Sequence, residues 1–97
     1  MNYTVDLSPK AHNELFEAWK WYEEQRPGLG ELFEQEFFKK VDLIQNSPLH
    51  YPNKGRYREA QTDVYPFLIV FKIDKKSNVI FIVSFFHMSR HPKKKHK

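Results

Sequence analysis

Residues 64–86 read VYPFLIVFKIDKKSNVIFIVSFF, and this stretch decides the fold. Its two runs of β-branched and aromatic residues, 64–73 and 79–86, are typical of strands in a buried sheet. The polar segment 74–78 between them is short enough to be a hairpin connection. We therefore predict two long antiparallel strands. Pro66 lies near the start of the first, where the loss of a ladder hydrogen bond is tolerated.

Both of these strands are apolar on both faces. In the first strand, alternation places Leu68 and Val70 opposite Phe67, Ile69, Phe71 and Ile73. In the second strand, it places Phe81, Val83 and Phe85 opposite Ile80, Ile82 and Phe86. A pair of helices would cover only one face. The other face must then be shielded by loops, by the C-terminal segment or by another chain, unless the strands curl around their own core.

Upstream of the two strands, the sequence predicts one strand and two helices. Apolar residues alternate over 3–7, as in a half-buried strand. Ser8-Pro9 reads as an N-cap followed by proline at the first helical position. This helix ends near Arg26, before Pro27-Gly28, and a second apolar stripe at helical spacing continues from 29 to 44. So short a turn predicts an antiparallel helix hairpin, in which Trp19 and Tyr22 meet the phenylalanines of the second helix.

The segment between the second helix and the apolar strands is predicted as a loop and one short strand. Residues 48–55 are loop-like in their proline, asparagine and glycine content. From Arg56 the pattern alternates, with Arg56 and Arg58 on one face and Tyr57 and Glu59 on the other. The complete prediction is an α+β domain of order βααβββ, with a helix hairpin packed on one face of a small, mostly antiparallel sheet.

Length and composition limit the class of protein. The 97 residues, 40% of them hydrophobic, permit one domain, which we take as 1–92 followed by a basic tail at 93–97. The absence of cysteine excludes disulfides, thiolate zinc sites and cysteine nucleophiles. The sequence contains no apolar run long enough to cross a bilayer and no signal-peptide pattern at its start. We expect a cytoplasmic protein that has no membrane partner.

The net charge of +4 conceals two oppositely charged halves. Residues 1–50 carry 5 Lys and Arg against 9 Asp and Glu, whereas residues 51–97 carry 11 against 3. The four lysines of the tail supply half of the resulting +8, so a net +4 remains without them. A basic half indicates nucleic acid or an acidic protein as the partner.

Cationic residues lie at the end of the last strand and in the segment before the first of the two apolar strands. They are His87, Arg90 and His91 on one side and Lys54, Arg56 and Arg58 on the other. Imidazole and guanidinium groups on a rigid strand can recognise phosphate or carboxylate. A metal site formed by His87, His91 and His96 is not expected, since their spacing follows no closed zinc pattern. We also expect no cofactor.

Several segments resemble the RelE/ParE toxins of type II toxin-antitoxin systems. The segments are WYEEQRPGLGELF at 21–33, Pro48 with Tyr51-Pro52, Arg58, YPFLIVF at 65–71, and His87 with Arg90 and Pro92. The resemblance spans nearly the whole chain, and it implies the same α+β fold. It also implies a bacterial toxin that is neutralised by a cognate antitoxin, whose acidic segment wraps around the toxin.

The resemblance implies one of two activities. RelE-like members are ribosome-dependent endoribonucleases that cleave mRNA, and ParE-like members are described as inhibitors of DNA gyrase. Cleavage needs a base, an acid and cations around one phosphate. His87, Arg58 and Arg90 are the catalytic candidates for it, and Lys54, Arg56 and His91 are candidates for binding nucleic acid or another target.

Features of the chain weigh against the ribonuclease. The Pro-Gly-Leu-Gly turn at 27–30 is more typical of the ParE-like, plasmid-stabilisation branch, and no RelE-like terminal tyrosine follows His87. Glu59 alternates to the face opposite Arg58, so no carboxylate is clearly paired with the cations. Both activities stay open at this point. A third alternative is a small basic RNA-binding module without toxicity, suggested by the tyrosines within the basic half.

Overall fold

The computed structural model describes residues 3–88, which form two helices packed on one side of a five-stranded sheet. The elements are β1 (Thr4–Leu7), α1 (Pro9–Gln25), α2 (Leu29–Asn46), a short 3-10 helix (Pro48–His50), β2 (Asn53–Lys54), β3 (Tyr57–Gln61), β4 (Phe67–Asp74) and β5 (Val79–His87). The strand order is β1-β5-β4-β3-β2. Neighbouring strands are antiparallel except β1, which runs parallel to β5. The predicted α+β architecture is confirmed.

Ser8 connects β1, α1 and β5. Its hydroxyl oxygen accepts a hydrogen bond from the backbone N–H of Ala11 at 3.0 Å, as expected of an N-cap. The same hydroxyl donates to the carbonyl of Val83, and the Ser8 N–H donates to the carbonyl of Ile82. The cap therefore fixes the start of α1 on the strand that β1 joins.

Glu23 closes the turn between the helices. Its two carboxylate oxygens accept hydrogen bonds from the N–H groups of Gly28 at 2.9 Å and Gly30 at 3.0 Å. Gly28 is the N-cap of α2 and Gly30 lies in its first turn, where the helix dipole favours an anion. A side chain at Gly30 would place its Cβ 2.9 Å from the Trp19 carbonyl, so the two helices approach closely there.

An aromatic cluster joins the helix hairpin to the sheet. Tyr22 of α1 stacks on Phe33 of α2, with ring centroids 5.0 Å apart. Phe67 of β4 stacks on Phe85 of β5 at 4.6 Å, and Phe33 contacts both of these rings. Each aromatic side chain of this kind buries about 150–250 Å². The predicted packing of Tyr22 is confirmed.

A β-bulge in β5 overturns the predicted alternation of that strand. Phe71 pairs with Ile82 but Val70 pairs with Ser84, so Val83 is an extra residue. The extra residue resets the alternation, and Phe85 joins the core on the same side as Ile80 and Ile82. The prediction that Phe85 lies opposite these two isoleucines was wrong, because a bulge shifts the period by one.

The structure also revises two boundaries. Strand β4 begins at Phe67 rather than Val64, because Thr62 folds the preceding segment into a turn. The Thr62 hydroxyl accepts from the N–H of Phe67 at 3.2 Å and donates to the carbonyl of Tyr65. The predicted loop at 48–55 contains the 3-10 helix and β2, which adds one strand to the predicted order.

The sheet face turned away from the helices, called the open face below, is apolar in its central strand. Leu68 and Val70 lie on it and are only 5% and 3% exposed. Glu59 pairs with Val70, so it lies on the same face, and it is 9% exposed. The predicted second apolar face therefore exists, and its two central residues are nearly as inaccessible as the core.

Candidate functional site

Strand pairing places two of the described site candidates, His87 and Lys54, at opposite ends of the sheet. His87 pairs with Phe67, the first residue of β4. Lys54 pairs with Tyr57 at the start of β3, and β3 starts beside the last residues of β4. We call these two regions the His87 end and the hairpin end. The hairpin end contains the β2–β3 and β4–β5 turns.

Arg58 lies on the helix side of the sheet, and its side chain bonds to a backbone carbonyl. It pairs with Phe71, a core residue, and paired residues of a ladder share one face. Its guanidinium Nη1 donates to the carbonyl of Tyr51 at 2.8 Å. The Tyr51 ring in turn packs edge-on against Phe71. Arg58 therefore fastens the segment after the 3-10 helix to the sheet.

The structure does not bring Arg58 and His87 together. Their pairing partners Phe71 and Phe67 are four positions apart on β4, and β3 and β5 flank that strand on opposite sides. With about 3.4 Å per residue and about 4.8 Å between strands, their Cα atoms are roughly 17 Å apart. Glu59 lies on the face opposite Arg58, as the sequence predicted.

His87 borders a groove between α1 and the last residues of β5. Its ring packs edge-on against Phe67, with centroids 5.1 Å apart. The groove has a volume of about 350 Å³. Among its lining residues, three carboxylates come from α1: Glu14, Glu17 and Glu24. Lys20 and Trp21 line it as well, so the acidic groups outnumber the lysine.

Cations gather at the hairpin end of the sheet. They are Lys54, Arg56, Lys72, Lys75 and Lys76, and all of them are exposed. Lys72 and Phe81 pair across β4 and β5, and the Lys72 ammonium lies 5.9 Å from the centre of the Phe81 ring. The sequence analysis singled out Lys54 and Arg56 and passed over the three lysines, because it treated 64–73 only as an apolar strand and 74–78 only as a connection.

Comparison with protein families identifies the family to which the chain belongs. The model of the ParE toxin of type II toxin-antitoxin systems, parDE, matches residues 5–92. The chain belongs to this ParE toxin family. It is thus a toxin of a type II toxin-antitoxin system, as the sequence resemblance indicated. Among curated proteins, none matches the sequence closely enough to count as a relative.

Solved structures show the same fold as this ParE-family toxin. The chromosomal ParDE system of Pseudomonas aeruginosa matches with a TM-score of 0.75 and 17% identity, over 88% of this chain and 95% of that chain. The intact Escherichia coli RelBE complex matches with a TM-score of 0.63 and 18% identity, over 86% and 93%. The archaeal RelE-RelB complex of Pyrococcus horikoshii matches with a TM-score of 0.58 and 14% identity, over 93% and 99%.

Arg90 and His91 lie outside the described residues of this ParE-family toxin, so their proposed roles stay predictions. The same holds for the tail at 93–97. Met88 is the last residue described, and its N–H donates to the carbonyl of Pro66 at 2.8 Å. Within residues 3–88, no three histidine or acidic side chains are grouped to hold a metal ion, and no helix is long and apolar enough to cross a membrane.

Sequence reasoning missed the acidic groove of the toxin. Glu14, Glu17 and Glu24 fall at spacings of three and seven, which places them on one side of a helix. That spacing is visible in the sequence, but the three residues were interpreted as part of the solvated face of α1. Only the packing of α1 beside the end of β5 turns them into one wall of the groove at His87.

Proposed function

We propose that this ParE-family toxin inhibits DNA gyrase and does not cleave RNA. The observation that carries the proposal is the separation of Arg58 from His87, with the Arg58 guanidinium bonded to the Tyr51 carbonyl. Cleavage by attack of a ribose 2′-OH requires an acid, a base and a cation within hydrogen-bond reach of one phosphate. Among the described residues that line the groove at His87, Lys20 is the only other cation.

The charge around His87 also favours a target other than RNA. Glu14, Glu17 and Glu24 face the groove that His87 borders. Carboxylates at this density create a negative potential, which repels the phosphates of an RNA strand. A ribonuclease needs the opposite sign at its scissile phosphate. Gyrase inhibition makes no such demand, because the toxin only has to bind a protein and arrest its cycle.

We propose a cognate antitoxin as the second partner. The solved structures with this fold include ParDE and RelBE toxin-antitoxin systems, and this supports the same kind of partnership here. The helix hairpin carries large apolar side chains that are about half exposed, among them Phe16 at 52%, Leu32 at 47% and Phe38 at 44%. A partner that covers them would gain apolar burial, and its acidic groups would suit the basic half of the toxin.

The test compares two activities of the purified toxin. We expect inhibition of gyrase supercoiling and intact mRNA in a translating extract, and we expect His87→Ala to retain the inhibition. His12→Ala is the matched control, because His12 is an exposed histidine on α1. Cleavage of mRNA that is lost in His87→Ala but kept in His12→Ala would overturn the proposal and establish the ribonuclease.

A further inference from the structure

We infer that the hairpin end of the sheet binds the phosphodiester backbone of nucleic acid. The binding surface, called the basic row below, consists of five residues: Lys54, Arg56, Lys72, Lys75 and Lys76. It lies at the opposite end of the sheet from His87. The choice of duplex DNA as its ligand rests on the proposed function, because gyrase works on DNA; the surface itself does not depend on it.

The sheet topology assembles the basic row from two separate hairpins. Lys54 and Arg56 belong to the β2–β3 hairpin, and the three lysines belong to the β4–β5 hairpin. The order β5-β4-β3-β2 sets these hairpins side by side. Three strand spacings amount to roughly 14 Å. One strand of duplex DNA carries a charge every 3.4 Å or so of its axis, so the row faces about four phosphates.

The cations of the basic row are available to a ligand. All five are exposed, and none forms a salt bridge with another of residues 3–88. The acids nearest to them in the paired strands are Asp74, Glu59 of β3, which lies diagonally across from Lys72 on the open face, and Asp6 of β1. Asp74 accepts hydrogen bonds from the N–H groups of Lys76 and Ser77 within the turn. Five cations against these three acids leave the end with a net positive charge.

Rigidity favours nucleic acid over an acidic peptide as the ligand. The β4–β5 hairpin is paired up to Asp74 and Val79, so the sheet holds the backbone that carries these lysines in a fixed frame. The Lys72 ammonium is held further by its contact with the Phe81 ring. A row of cations on a fixed frame matches a ligand whose charges are regularly spaced. A disordered acidic peptide could also bind such a row, but it would lose conformational entropy on being ordered there.

The test measures binding of the full chain to a fluorescent 20-base-pair duplex DNA and to a single-stranded RNA by anisotropy over a salt series. The variant is Lys72→Ala/Lys75→Ala/Lys76→Ala. The control is Lys10→Ala/Arg26→Ala/Lys39→Ala, which removes the same charge from exposed positions on and beside the helices. Circular dichroism checks that both variants are folded.

We expect the hairpin variant to bind the duplex at least about tenfold more weakly than the wild type. The slope of the logarithm of the binding constant against the logarithm of the salt concentration should be smaller by about two to three, and the control should bind like the wild type. Equal losses in both variants, or no loss in the hairpin variant, would overturn the inference. Tighter binding of RNA than of DNA would support the basic row as a nucleic-acid surface and count against gyrase inhibition as the function. Gyrase inhibition by a toxin that binds no nucleic acid would support the proposed function and overturn this inference.

Discussion

The carboxylate of Glu14 on α1 accepts a hydrogen bond from the backbone N–H of Phe85 at 2.9 Å. It also accepts one from the Ser84 hydroxyl at 3.2 Å. The donors belong to the two residues after Val83, the extra residue of the bulge. The pairing of β5 with β1 has already ended there, at Ile82. A helix side chain thus satisfies a backbone donor on the outer edge of the strand that leads to His87.

Replacement of Glu14 is expected to destabilise the protein. Glu14→Ala leaves the partly buried Phe85 N–H without its acceptor, which costs about 1–3 kcal/mol. Glu14→Gln keeps an acceptor oxygen and is expected to lose less. The measurement is the free energy of unfolding in urea. Glu17→Ala, an exposed neighbour on the same helix, is the control and is expected to change stability by no more than about 0.5 kcal/mol.

Glu23 is expected to stabilise the hairpin between the helices. Glu23→Ala removes the acceptor for the N–H groups of both Gly28 and Gly30 and should cost about 1–2 kcal/mol. The adjacent Glu24 is exposed and makes no such bond with residues 3–88, so Glu24→Ala serves as the control in the same unfolding experiment. Equal effects of the two substitutions would contradict this role.

Arg58 is expected to act on stability rather than on chemistry. Arg58→Ala removes the hydrogen bond to the Tyr51 carbonyl and should cost about 1–2 kcal/mol. Toxin activity per folded molecule should stay close to that of the wild type. Arg56→Ala is the control for stability, because Arg56 is exposed in the turn before β3. A large loss of activity in a fully folded Arg58→Ala protein would restore Arg58 as a functional residue.

Deletion of Val83 tests the bulge directly. Without the extra residue, Ser84 would follow Ile82 directly, so β5 would alternate regularly and Phe85 would stay opposite Ile69 in the core, where it stacks on Phe67. The shortened protein is therefore expected to remain folded. Deletion of Phe81, in the regular part of the strand, is the contrasting change, because it makes Ile80 and Ile82 adjacent and forces one of these buried residues out of the core, which costs about 2–5 kcal/mol. Thermal unfolding followed by circular dichroism separates the two results.

Local patterns sufficed where neighbouring residues decide the structure. Ser8-Pro9 predicted the start of α1 because an N-cap and the residue it caps are three positions apart. The Pro27-Gly28 turn predicted the helix hairpin, and 74–78 predicted the connection of the two long strands. The bulge was not predictable in this way, since Val83 is as apolar as a regular strand residue and reveals itself only by its pairing.

The sequence by itself determined the order of the main elements, the helix hairpin on a mostly antiparallel sheet, and the ParE/RelE resemblance, because these follow from periods and turns within short windows. Tertiary structure decided where the charges lie. The register of β3, β4 and β5 separates Arg58 from His87 and unites the lysines of two hairpins at the other end. Such distances depend on pairing between residues far apart in the chain, which a one-residue shift would change.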